Sequence, residues 1–159
     1  MNAGSEPIQG AVKVTMFVAR PGLKTQHAGV LSFILTSIAI PPTGPPYPVS
    51  GSCSIPQDVN VIFAGSHVRR RATGFVATAG STTLYETNAW SDPLSKAFSP
   101  PLALPANTNT NVDWTCTYVN DTGSTLTFGQ SALTNAMCNF SATFYPVQDP
   151  SHPVISCLK

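Results

Sequence analysis

Residues Met137-Cys138-Asn139-Phe140-Ser141-Ala142-Thr143-Phe144-Tyr145 decide the fold class. Cys138, Phe140, Ala142 and Phe144 share one side of an extended chain, and Met137, Asn139, Ser141, Thr143 and Tyr145 share the other. Successive side chains of a strand point to opposite faces, so this alternation predicts a strand with one face in a core. Trp114, Cys116 and Tyr118 repeat the pattern, and so do Val12, Val14, Met16 and Val18, which alternate with Lys13, Thr15 and Phe17. Residues 59–68 form a further apolar run. Phe75-Val76-Ala77-Thr78 and Thr82-Thr83-Leu84-Tyr85 flank Ala79-Gly80-Ser81 as a hairpin would. Residues 31–40 read as strand until Pro41-Pro42-Thr43-Gly44-Pro45-Pro46 stops them, and residues 93–105, with four prolines, read as an extended connection. Asn120-Asp121-Thr122-Gly123-Ser124 is a turn cluster, with Leu126-Thr127-Phe128 after it. No stretch sustains a 3.6-residue period. About eight short strands separated by turn signals predict an all-β protein, an antiparallel β-sandwich of jelly-roll type.

Composition agrees. Of 159 residues, 8 are Lys or Arg, 7 are Asp or Glu, and 42% are hydrophobic. Charged residues make up 9%, against about 25% in an average domain. A basic nucleic-acid groove, a polybasic membrane anchor and an acidic tail each need clustered charge of one sign, so none is expected. The hydrophobic share argues against disorder. Polarity comes mainly from 16 Ser and 18 Thr, with 15 Pro to punctuate turns. The longest apolar stretch, residues 30–40, contains Ser32, Thr36 and Ser37 and is half the length of a membrane helix, so it reads as a strand pair or one long strand.

Four cysteines stand at positions 53, 116, 138 and 157. Without a CxxC, a zinc knuckle or thioredoxin-type motif is unsupported. An even count on a hydroxyl-rich, charge-poor chain predicts two disulfides and an oxidising compartment, extracellular or periplasmic, with three pairings open. The opening residues 1–6 show neither the basic nor the apolar region of a signal peptide.

Catalytic signals are sparse. No GxSxG elbow or HExxH motif occurs, and the acids are scattered. His152 lies in the polar Pro150-Ser151-His152-Pro153, and His27 precedes an apolar strand. Residues 65–73, Gly-Ser-His-Val-Arg-Arg-Arg-Ala-Thr, are different. On a strand, side chains two apart share a face roughly 6.5–7 Å apart, so a His-x-His there would aim two imidazoles at one metal. Position 67 is His; position 69 is Arg. Met137 places a thioether on a face otherwise built from Asn, Ser and Thr. Asn120-Asp121-Thr122 and Asn139-Phe140-Ser141 match N-glycosylation triplets.

Taken in order, Trp114-Thr115-Cys116-Thr117-Tyr118-Val119-Asn120, Thr127-Phe128-Gly129-Gln130-Ser131-Ala132, Asn135-Ala136-Met137-Cys138 and Phe144-Tyr145-Pro146 resemble the C-terminal domain of copper type II ascorbate-dependent monooxygenases. That group includes the peptidylglycine α-hydroxylating and dopamine β-monooxygenases. The similarity covers residues 28–159, with residues 66–73 at the place of the family's His-x-His segment. It implies a jelly-roll sandwich stapled by Cys53–Cys157 and Cys116–Cys138. It also implies an oxygen-binding copper held by two His and one Met, ascorbate as the reductant, and a second copper in a preceding domain. Residues 2–8 look like the segment following that domain, which makes 1–27 a remnant strand and linker.

Carried over residue by residue, His67 and Met137 are the expected copper ligands, and Arg69 stands where the second imidazole belongs. A guanidinium stays protonated and offers no lone pair. The remaining imidazole and thioether suit Cu(I) better than Cu(II) and would hold either weakly. The expectation is an impaired copper domain that completes no turnover alone. A small-molecule or peptide substrate requires the missing copper domain, and neither nucleic acid nor membrane is expected as a partner. The alternative is a non-catalytic secreted β-sandwich that binds or supports, in which Arg69-Arg70-Arg71 could contact an anionic partner; three adjacent arginines on a strand split between two faces, so a solvated charge cluster is the plainer reading.

Overall fold

The computed structural model describes residues 10–159 apart from 12, 19, 21, 24, 25 and 107–109. In chain order the strands are β1 (Gly29–Leu35), β2 (Ala39–Ile40), β3 (Tyr47–Ser54) and β4 (Val59–Val68). Then come β5 (Ala72–Ala79), β6 (Thr82–Thr87), β7 (Lys96–Leu104) and β8 (Asn111–Tyr118). The last are β9 (Leu126–Thr127), β10 (Cys138–Tyr145) and β11 (Val154–Leu158). One sheet runs β11-β1-β10-β4-β7, the other β3-β8-β5-β6, and β2 pairs with β9. Leaving aside the two-residue strands and β11, eight strands remain. They interleave as first, eighth, third, sixth in one sheet and second, seventh, fourth, fifth in the other. That order is a jelly roll. The expected all-β sandwich is therefore present, with one exception to its antiparallel pairing: β11 lies parallel to β1.

The alternation read from residues 138–145 is realised. Cys138, Phe140, Ala142 and Phe144 are buried while Asn139, Ser141, Thr143 and Tyr145 are not. Trp114, Cys116 and Tyr118 on β8 face them from the second sheet, all essentially inaccessible. Phe33 of β1 bridges the two sets, with its ring centroid 5.9 Å from that of Trp114 and 6.1 Å from that of Phe140. Burying each such side chain contributes about 1.5–3 kcal/mol. Residues 30–40 contain two strands, β1 and β2, which belong to different sheets and do not pair with each other. The hairpin turns at Gly80, whose φ of 55° favours glycine.

Both disulfides cross from one sheet to the other. Cys53 on β3 bonds Cys157 on β11, and Cys116 on β8 bonds Cys138 on β10. They close loops of 104 and 22 residues. Constraining the unfolded chain in this way stabilises by about 4.7 and about 3 kcal/mol on loop-entropy grounds.

Two expectations are corrected. Residues 13–18 form no strand, and Val14, Met16, Phe17 and Val18 are each at least 76% exposed. Period-two patterning supplies a face but not a neighbour, and without one the backbone groups have no ladder to join. Val12 and residues 2–8 lie outside the described residues. Residues 93–105, expected as a connection, contain β7 at the sheet edge. Its ladder to β4 jumps from Ala97 to Leu102, so Pro100 and Pro101 sit in a break where no amide donor is needed. The structure also adds β3, a strand without a clear sequence signal because Pro48 and Gly51 interrupt it.

Gly51 has a packing reason. It pairs with Trp114 across the ladder, and a Cβ there would stand 2.3 Å from Cζ2 of the indole. Gly51→Ala is therefore expected to lower unfolding stability by about 1–3 kcal/mol through displacement of the Trp114 ring. Urea unfolding followed by Trp fluorescence measures this; an unchanged midpoint would show that the ring has room to move.

Candidate metal centre

The candidate ligands lie at one end of the first sheet. The β10–β4 ladder sets Asn139 opposite His67 and Cys138 opposite Val68. Met137 is the next residue beyond the ladder, and diagonal neighbours of this kind are about 7–8 Å apart. The structure thus brings His67 and Met137 to adjoining strand ends. Met137 is 7% exposed and its carbonyl accepts a hydrogen bond from the Tyr118 hydroxyl. His67 is exposed. Such burial as its ring has, followed by the positive charge of Arg69, lowers its pKa, so the imidazole is neutral at neutral pH.

The three arginines do not lie on a strand. β4 ends at Val68 and β5 begins at Ala72, so Arg69, Arg70 and Arg71 form the turn that carries the chain from one sheet to the other. The Ala72 amide donates to the Arg69 carbonyl at 3.1 Å, and Arg71 sits at φ 85°, a left-handed conformation costly for a residue with a Cβ. Two of the three guanidiniums hold neighbouring loops. Arg69 Nη2 donates to the Gln130 carbonyl at 3.0 Å. Arg71 donates from Nε to Asp121 and from Nη1 to the Leu133 carbonyl at 2.6 Å. The Arg71 contact holds the Asp121 carboxyl below its ordinary range. Only Arg70 matches the expected solvated charge.

These residues do not fit a copper ion. One imidazole and one thioether are present, and the third position is a guanidinium anchored to Gln130. A copper cation at His67 would also meet the positive charge of Arg69, which already acts on that imidazole. Among the described residues no group of three His, Cys, Asp or Glu could hold a metal. His27 cannot substitute. Gly29, two residues on, pairs with Phe144, five residues along β10 from Asn139, or roughly 16 Å. His152 is at that same far end, next to the Pro153 carbonyl that accepts from the Val30 amide, and its Nδ1 contacts Asp149 and Ser151. Near His67, Arg69 Nε and Asn139 Oδ1 are buried without hydrogen-bond partners.

No protein-family model matches the chain, and no curated protein matches it.

Two residues at this end matter more than their sequence signals suggested. Burial pushes the Tyr118 phenol up to about 12, although hydrogen bonds to the backbone at Arg69 and Met137 and the charge of Arg69 oppose the change. Asn120, the first glycosylation candidate, is buried, with Nδ2 donating to the carbonyls of Ile40, Pro41 and Ser124 at 2.8–3.0 Å. Its Oδ1 accepts from the Thr122 amide and hydroxyl. A glycan cannot attach to that nitrogen without breaking the cluster. The Asn-x-Thr spacing is the signal here, read as an Asx turn instead of a modification site.

Replacing Asn120 with Ala leaves three buried or half-buried carbonyls short of a donor. The expected loss is about 1–3 kcal/mol in chemical unfolding; a wild-type midpoint would mean that water replaces the amide at no cost. For Tyr118 the sign follows from its raised pKa. The unfolded phenol ionises near pH 10 while the folded one keeps its proton to about pH 12, so folding stability falls as pH rises through that window. The wild-type urea midpoint is expected to fall more steeply from about pH 9 to about pH 11 than that of Tyr118→Phe. Parallel pH profiles would exclude a differential titration.

Proposed function

We propose that the chain is a non-catalytic β-sandwich module on the plan of the copper monooxygenase C-terminal domain, acting through binding in an extracellular or periplasmic setting. The observation that carries this reading is the Arg69 guanidinium, fixed to Gln130 and acting by its charge on His67, on a residue that the resemblance would have as the second imidazole. The sheet-crossing disulfides support the oxidising setting. They also support persistence of the sandwich without a metal, because covalent staples do the work that metal ligation does in smaller domains.

A second reading is favoured by one observation. The lowered pKa of His67 leaves a neutral imidazole on the strand that pairs with the one following Met137, and an imidazole with a thioether has the softness that Cu(I) prefers. In that reading the chain is the oxygen-binding domain of an ascorbate-dependent hydroxylase with a weakened copper site. Its small-molecule or peptide substrate would be handled together with a preceding copper domain.

A Cu(I) titration against a competing chelator separates the two. No stoichiometric binding is expected in the wild type, and Arg69→His is expected to raise affinity at least about tenfold by restoring a third donor. Tight wild-type binding that disappears in Met137→Ala would overturn the module reading in favour of the hydroxylase domain.

A further inference from the structure

The arginine turn forms one wall of a groove of about 460 Å³ whose other residues include Trp90, Gln130, Ala132 and Leu133. Its composition is two-sided. Trp90 and Leu133 are 43% and 61% exposed, large apolar surfaces on a chain whose other tryptophan, Trp114, is 1% exposed. Arg69 and Arg70 bring two positive charges to the same groove. Among the described residues neither has a carboxylate within ion-pair distance, although Arg70 acts at longer range on Asp121, which Arg71 already occupies.

The opposite wall is pre-organised. Ser131 accepts at Oγ from the amides of Leu133 and Thr134, and its own amide donates to Asn135 Oδ1. Asn135 Nδ2 donates to the Thr127 carbonyl, and its side chain packs so closely over Gly129 that a Cβ there would stand 2.5 Å from it. Arg69 and Arg71 tie the loop from outside through Gln130 and Leu133. A wall held this way loses little freedom on binding, which is what lets a small groove hold a ligand. The volume lies in the range of small-molecule sites.

From the pairing of an exposed indole and two unneutralised guanidiniums in one pre-formed groove, we propose that this groove binds a flat aromatic monoanion, its ring against Trp90 and Leu133 and its carboxylate on Arg70 and Arg69. Guanidinium forks match a carboxylate with two parallel hydrogen bonds, and an indole face offers a plane to stack on. Arg70 supplies most of the recognition because its donors are free, whereas Arg69 already spends one on Gln130. The inference deepens the binding-module reading by naming a ligand class. It is independent of the copper titration, so either can fail while the other stands.

The probe is 2-naphthoate, compared with neutral 2-naphthamide, and the readout is the Trp90 indole N–H resonance with Trp114 as the internal control for folding. Saturable binding of naphthoate is expected below about 1 mM, with the amide at least about tenfold weaker. Arg70→Gln is expected to abolish the difference between the two probes, and Trp90→Ala, followed by calorimetry, to weaken both. Both substitutions are at exposed positions, and an unshifted Trp114 signal verifies the fold in each. Equal affinity of the wild type for both probes, binding that survives in both variants, or no saturation by about 1 mM would each overturn the proposal.

Discussion

The structure depends on a short column through the middle of the sandwich, where the Cys116–Cys138 bond joins the two sheets and Trp114 Nε1 donates to the Cys138 carbonyl at 3.0 Å. A disulfide alone sets a separation. The indole beside it sets the register, because its N–H must reach a carbonyl on the opposite sheet and its ring must lie over a residue with no side chain. Gly51 meets that requirement, and Phe33 packs on the indole from the first sheet. A jelly roll has high contact order, with strands far apart in sequence side by side, and covalent and steric pins of this kind limit the alternative pairings open to it.

The same strand continues to the candidate site. Two residues beyond Cys116, Tyr118 reaches across to the Met137 carbonyl, and two further on Asn120 gathers the loops that follow β2 and β8. This end of the sandwich is thus organised by neutral hydrogen bonds from buried side chains, with charge confined to the turn outside. Arg69 and Arg71 reach from that turn to the loop of residues 129–135. Cationic groups that close a protein surface in this way leave no space for a second cation and create a place for an anion. The poor fit to a cation and the proposed fit to an anion have the same origin, the guanidinium at position 69.

Much of the fold could be read residue by residue. The alternation at 138–145 and 114–118, the Gly80 hairpin and the proline stop at 41–46 each have a local cause, and the structure places strands and turns accordingly. The errors also have a shared cause. Residues 13–18 alternate as well as any strand in the chain, but pairing needs a partner that no local pattern reveals. In β7 the prolines concealed a strand, because an edge position with a broken ladder excuses the missing donors. In β3, Gly51 looks like a turn residue and is instead the floor beneath an indole from β8.

By itself the sequence determined an all-β sandwich with two disulfides, since side-chain period, turn residues and an even cysteine count are local properties of a chain. It also carries a histidine, an arginine and a methionine at positions 67, 69 and 137. Tertiary structure alone decided that Arg69 is anchored to Gln130, that Asn120 is a buried clamp and that Arg70 and Trp90 share a groove. Those facts join residues from 20 to 80 positions apart. Contacts over such spans depend on which strands lie side by side, and no local pattern records that.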